Sequence, residues 1–276
     1  MALDPKSTLI RAISGAIYIL IIVACCLCNE AGVVILACLL GVLAIIEFRK
    51  MHYADWNKDA FTSIYDIIGV LLLICSVFIV PFFCWIAWLI GRFIITIYSK
   101  HSHPEKLLAA DLAGQAYIGV PLALMAAYGM LFSSGMAILS IFIIIWVNDT
   151  GAFLFGSLFG KHKLFERVSP KKSWEGFWGG LLCSVIAGLI LSYFPALTTL
   201  RFSTINHTLM CTIAGVLISV SATYGDLFES VLKRNLNLKD SGHLIPGHGG
   251  ILDRIDSLLF VLPVMTIYAV ILSLLQ

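Results

Sequence analysis

Charge is what this sequence has least of. Asp, Glu, Lys and Arg make up 12% of its 276 residues, against about a quarter in soluble domains. Hydrophobic residues make up 60%, and mean hydropathy is +0.97. These values exclude a water-soluble globular protein and identify an integral membrane protein. No polar segment exceeds about 30 residues, too short for a soluble domain of its own. The first apolar run, Leu9–Cys28, has no A-x-A-like cleavage site and is expected to be retained as a span. Long internal repeats are missing, which speaks against the repeat-built transporters. Cys25-x-x-Cys28 has redox or metal spacing, but no His or second Cys pair stands nearby in sequence. With Cys38, Cys75, Cys84, Cys183, Cys211 and Cys26, these cysteines lie in or beside apolar runs and are read as small apolar residues.

Apolar runs are abundant. A helix needs about 20 apolar residues to cross a hydrocarbon core of about 30 Å. Residues 9–28, 31–48, 117–133, 136–156, 174–194, 208–225 and 255–275 form such runs. Residues 67–98 would make one helix about 48 Å long, too long for an upright span. Pro81 stands near the middle of that run, so two short spans are expected, 65–80 and 82–98. The expected fold is all-α, a polytopic membrane protein of about nine transmembrane helices with its N-terminus cytoplasmic.

Charge placement supports that count. Nine spans leave Asp4–Arg11, Arg49–Asp66, Ser99–Asp111, Lys161–Glu175 and Lys233–Arg254 inside. Of 18 Lys and Arg, Arg201 alone falls outside, and Arg92 lies within a span. A single span over 67–98 would export the basic segment Lys161–Lys172, against the positive-inside bias. A multi-pass protein of a bacterial cytoplasmic (inner) membrane is expected.

Polar residues gather in the inside connections of the second half. One group is WVNDTGA (146–152) with KHKLFERVSPKKSWEG (161–176); the other is TYGDLFESVLKRNLNLKDSGHLIPGHGGILDRID (223–256). Asp226, Ser230 and Lys233 share a helix face by their spacing, about a turn inside the eighth span's end, and so do Asp253 and Asp256 at the start of the ninth. If those ends are neighbours, three carboxylates converge at one depth and need a cation. Oxygen ligands with little imidazole or thiolate suit Mg²⁺. Lys233, Arg234, Lys239, His248 and Arg254 lie between the acids, and Gly247, Gly249 and Gly250 would let backbone N–H groups approach an anion. Lys171 and Lys172 lie on the same side. The combination points to metal-assisted phosphoryl or nucleotidyl transfer at the cytoplasmic surface.

Plainer readings exist for many of these residues. Arg49, Lys50, Lys100 and Lys106 are expected to be topology markers, and Glu47 and Asp66 interfacial. Asp253 and Asp256 taken alone could be first-turn acids favoured by the helix dipole. Asp226 and Asp149 at further span ends weigh against that, because charges there are costly.

Residues 230–256, SVLKRNLNLKDSGHLIPGHGGILDRID, resemble the signature of the phosphatidate cytidylyltransferases (CDP-diacylglycerol synthases). Its fixed positions fall on Ser230, Lys233, Arg234, Lys239, Asp240, Gly242, Pro246, His248, Gly249, Gly250, Asp253, Arg254 and Asp256. NDTGAFLFGSLFGKHKL and SPKKSWEG resemble upstream segments, although Gly156-Ser157 stands where a Gly-Arg pair is common. The resemblance covers residues 145–276 well; the first 140 match only as membrane spans. Residues 1–140 are accordingly expected to be N-terminal helices and 141–276 the catalytic region of one membrane domain. The resemblance implies an enzyme that joins CTP and phosphatidate, giving CDP-diacylglycerol and pyrophosphate, with no nucleic-acid partner and with a homodimer. It implies Mg²⁺ on Asp226, Asp253 and Asp256, and admits K⁺ beside it. The implied catalytic set is Asp226, Lys239, Asp240, Asp253 and Asp256. The implied substrate-binding set is Ser230, Lys233, Arg234, His248, Gly249, Gly250, Arg254, Lys171 and Lys172. A transporter, a CDP-alcohol phosphotransferase and a lipid-alcohol kinase are the alternatives; the second is disfavoured because its D-G-x-x-A-R motif needs a DG pair, which this chain lacks.

Overall fold

The computed structural model describes residues 5–52, 60–100, 103–131, 134–194, 204–247 and 249–274. Its helices are α1 (Pro5–Leu27), α2 (Asn29–His52), α3 (Ala60–Ile74), α4 (Ile79–Ile97), α5 (Pro104–Gly114), α6 (Val120–Leu131), α7 (Gly135–Phe159), α8 (Trp174–Leu191), α9 (Thr204–Asn235) and α10 (Leu252–Leu274). A π turn, Gln115–Gly119, joins α5 to α6 in one continuous rod. Among the described residues, eight helices are long and apolar enough to cross a membrane, and Phe61–Val77 is a shorter apolar helix. The chain is a multi-pass helical membrane protein. A short antiparallel ribbon, β1 (Lys163–Phe165) with β2 (Ser169–Ser173), is its sole sheet among the described residues and pairs Lys163 with Ser173.

The long run 67–98 does break, but at Phe78 rather than at Pro81. A 3₁₀ turn ends at Val77, Phe78 is extended (φ −96°, ψ 141°), and α4 starts at once. Pro81 then sits in the first turn, where its missing N–H costs no hydrogen bond. Two left-handed asparagines punctuate other ends. Asn29 (φ 58°) makes the tight turn from α1 to α2, and Asn237 (φ 56°) ends α9, where Leu238 N donates to the Lys233 carbonyl at 2.8 Å. Asparagine tolerates this region better than other side chains with a Cβ.

Small residues set the seams of the second half. A Cβ on Gly151 would lie 2.7 Å from Cys183 Sγ, and one on Gly180 2.8 Å from Asn148 Oδ1, so α7 and α8 approach as closely as small-residue helix pairs do in lipid. Asn148 ties the seam to α9: its Oδ1 accepts from the hydroxyls of Ser184 (3.3 Å) and Ser219 (2.7 Å). All eight cysteines are free.

Several charges of the first half are buried; for Arg49, Asp66 and Asp111 this is contrary to the loop or interfacial positions expected, whereas Arg92 lies within a helix as expected. Arg49, Asp66, Arg92 and Asp111 are 4%, 0%, 1% and 2% exposed. Asp111 lies in α5, not in a loop. Arg49 pairs with Asp66 and, at 2.9 Å, with Asp111; Arg92 pairs with Asp111 and, at 3.3 Å, with Asp66. Two cations and two anions balance, the condition under which buried charge is tolerated. This tetrad pins α2, α3, α4 and α5 together. Glu47 is buried as well, at 5% exposure.

Candidate active site

The expected carboxylates line one cavity. A cavity of about 630 Å³ opens between α7, α8, α9 and the start of α10, and Asp149, Asp226, Asp253 and Asp256 all line it. The helices run further than hydropathy suggested. Asp226 lies about two and a half turns before the end of α9, and Asp149 nearly three before the end of α7. Both were expected at span ends, and neither stands at the end of its helix. Both are reached because the cavity descends between the helices.

Basic side chains enter from two directions. The β ribbon carries Lys171 and Lys172 over the mouth, and Ser173 caps α8 by accepting from Gly176 N at 3.2 Å. The turn before the ribbon is held by Glu175, which accepts from the backbone N–H of Lys161 and His162 and lies 2.6 Å from the His162 ring. Lys172 Nζ then lies 2.6 Å from Asp226 Oδ2, and Ser230 donates to Asp226 Oδ1 at 3.3 Å. From the other side Lys233 Nζ is 2.6 Å from both Glu229 Oε2 and Asp253 Oδ1. Glu229 was not singled out from the sequence, although its i,i+4 spacing to Lys233 is a legible ion-pair signal.

Asp253 combines two tasks. Its Oδ2 accepts from Gly250 N (2.9 Å) and Ser241 N (3.0 Å), reaching back over the start of α10 as a capping acid does, and its Oδ1 takes Lys233. The expected first-turn cap and the expected site residue are therefore one. Gly249 and Gly247 have positive φ, 85° and 75°, which fits them to this tight turn. The N–H of Gly250 is used within the protein rather than aimed at an anion. Asp256 is buried, with Oδ1 receiving Ser257 N at 2.6 Å, and Asp226, Glu229 and Asp149 lie within its electrostatic reach.

Other expected residues are placed differently. Asp240 and Arg254 line the cavity. Arg234 is exposed and donates to the Leu238 carbonyl at 3.4 Å, just beyond the end of α9, and neither it, Lys239 nor Ser230 lines the cavity. His248 lies outside the described residues, as does Arg201. Ser157, at the position where the family commonly has arginine, lines the cavity while its hydroxyl donates to Leu154 O at 2.9 Å.

Six acidic and four basic side chains line the cavity, an excess of two negative charges. Such a surface repels a polyphosphate unless a cation accompanies it. The donors are hard carboxylate oxygens, which suit Mg²⁺. No three His, Cys, Asp or Glu side chains among the described residues converge tightly enough to hold an ion unaided. Mg²⁺ usually binds one or two carboxylates together with water and substrate phosphates. A second cavity, of about 210 Å³, shares Asp149, Asp253, Arg254 and Asp256 with the first and extends toward Ser14, Tyr18 and Ile19 of α1.

Comparison with known proteins accords with this arrangement. A model of the cytidylyltransferase family matches residues 9–272. A phosphatidate cytidylyltransferase of Staphylococcus epidermidis is 35% identical over 267 residues, spanning 94% of this chain and 97% of its own length. One from Staphylococcus haemolyticus is 33% identical over the same shares, and one from Staphylococcus aureus is 36% identical over 251 residues, 86% of this chain and 90% of that protein.

Proposed function

The chain belongs to the cytidylyltransferase family, and from that we propose that it transfers CMP from CTP to phosphatidate, forming CDP-diacylglycerol and pyrophosphate. The observation that carries the proposal is one cavity lined by Asp149, Asp226, Asp253 and Asp256 together with Lys171, Lys172, Lys233 and Arg254, in a chain matched by the family model over residues 9–272.

A phosphate oxygen of phosphatidate attacks the α-phosphorus of CTP in line. A new P–O–P bond forms as the α–β bridging bond breaks, and the electron pair leaves on pyrophosphate. A phosphomonoester is already anionic near neutral pH, so no strong general base is required. The protein's contribution is alignment and charge neutralisation. Lys171, Lys172 and Arg254 line the cavity and would face the phosphates. Lys233 fixes Asp253 against Glu229, and Lys172 holds Asp226 until substrate arrives. Asp226 and Asp256 would hold Mg²⁺, and Asp253 would join them only by releasing Lys233; K⁺ is the further ion the family resemblance admits. Bound there, Mg²⁺ would offset the excess negative charge and stabilise charge on the phosphates. The cavity sits at helix mouths because a lipid head group and a water-soluble nucleotide meet only at an interface. The distribution of Lys and Arg supports the cytoplasmic face.

The test is pyrophosphate release by detergent-purified protein with phosphatidate and Mg²⁺, comparing CTP, dCTP, ATP and GTP. Release with the cytidine nucleotides alone, lost on chelation, is the expected result. No release with any nucleotide from folded protein would refute the proposal and favour a transporter.

A further inference from the structure

Glu47 belongs to α2, in the half of the chain that carries none of the signature residues. Its buried side chain nevertheless crosses to the signature loop. Oε2 accepts from Leu252 N at 2.9 Å and from the Ser241 hydroxyl at 3.2 Å, partners 205 and 194 residues away. Leu252 opens α10, so the carboxylate sits where the helix dipole and free N–H groups favour an anion. Ser241 continues the chain of contacts: its hydroxyl accepts from Asp253 N at 3.3 Å, and its own N–H donates to Asp253 Oδ2 at 3.0 Å.

Two glycines leave the space that Glu47 fills. A Cβ on Gly242 would lie 2.6 Å from Glu47 Oε1, and one on Gly250 would run first into the Ser241 hydroxyl and then into both Glu47 carboxylate oxygens. Alanine at Gly242 would crowd the carboxylate, and alanine at Gly250 would crowd both it and its partner Ser241. The end of α2 is itself tied down, because Arg49, two residues further on, is paired in the buried tetrad with Asp66 and Asp111. Glu47 thus connects a rigid membrane element to the loop whose far end presents Asp253 and Asp256.

We propose that Glu47 is a positioning residue of the active site, setting the Ser241–Leu252 loop and through it the Asp253 carboxylate. This rests on the cytidylyl-transfer reading above. Glu47 does not line the cavity; it acts through Ser241 and the first turn of α10. A residue that only stabilised the fold would change melting temperature and leave the turnover of the folded fraction intact.

The experiment combines kinetics with hydrogen exchange on detergent-purified full-length protein. Glu47→Ala is expected to lower kcat about 10- to 100-fold with KM for CTP within about threefold, the size expected for a lost buried hydrogen bond and a small misalignment. Glu47→Gln keeps an acceptor oxygen and is expected to restore kcat to within about fivefold of wild type. Ser241→Ala should reproduce the loss, and the Glu47→Ala/Ser241→Ala double variant should be little worse than either single one, because both cut one chain of contacts. Amide exchange across 241–252 should speed up in Glu47→Ala. Should Glu47→Ala fail to fold, Glu47→Gln and Ser241→Ala decide the matter. Wild-type kcat in folded Glu47→Ala, fully additive losses, or unchanged exchange across the loop would each overturn the proposal. Wild-type protein without CTP-dependent release would instead overturn the functional reading, and the exchange arm would still decide whether Glu47 anchors the loop.

Discussion

Replacing Lys233 by methionine tests the centre of the site most directly. Methionine keeps the unbranched stem and removes the ammonium. That ammonium stands 2.6 Å from each of two carboxylates, with the Lys233, Glu229 and Asp253 side chains 13%, 1% and 9% exposed. Asp253 would keep its backbone donors, Ser241 N and Gly250 N. Glu229 would be left as a buried carboxylate without its cation. Removing one partner of a buried ion pair costs about 3–5 kcal/mol, which at about 2–4 °C per kcal/mol lowers Tm by roughly 6–20 °C. Thermal denaturation in detergent, without nucleotide, measures the drop. Adding Glu229→Gln removes the stranded charge, so the double variant should regain most of the lost stability while its pyrophosphate release stays low. A Tm within about 1 °C of wild type for Lys233→Met, or a double variant no more stable than the single one, would refute the assignment of Lys233 as the clamp.

Three further outcomes are expected. Asp256→Asn and Asp253→Asn each abolish pyrophosphate release in protein that remains folded and inserted; retained activity in both would sink the metal-site proposal. Lys172→Ala breaks a pair that is 24% and 41% exposed, so stability changes by less than about 1 kcal/mol while KM for CTP rises. Arg92→Met strands Asp66 and Asp111 beside a single remaining arginine and lowers stability by about 3–5 kcal/mol, read as loss of monodisperse protein on heating.

Much of this protein was legible before any fold was known. Hydropathy counts spans because the bilayer demands a fixed length of apolar helix, a local property of the chain. The positive-inside bias favoured a break within residues 67–98, and the helix does end there, before Phe78. The dense polar segment 230–256 identified the family and three of the cavity's six acidic residues, Asp240, Asp253 and Asp256. Locating the break at Phe78 was beyond that reasoning, because a proline in a first turn and a proline at a kink look alike in sequence.

What the tertiary structure alone decided is which charges meet. Arg49 and Asp66 read as a loop cation and an interfacial acid until α3, α4 and α5 close around them. Glu47 carries no local signal of its partners, since Ser241 and Leu252 lie some 200 residues onward and are brought to it by helix rotation and packing. The signature named Asp253, but not that its carboxylate is shared among Lys233, Ser241 and Gly250. Composition and spacing determine where a chain crosses the membrane and which chemistry it carries. Pairing between distant side chains depends on the depth and rotation of each helix against its neighbours, and those are properties of the assembled bundle.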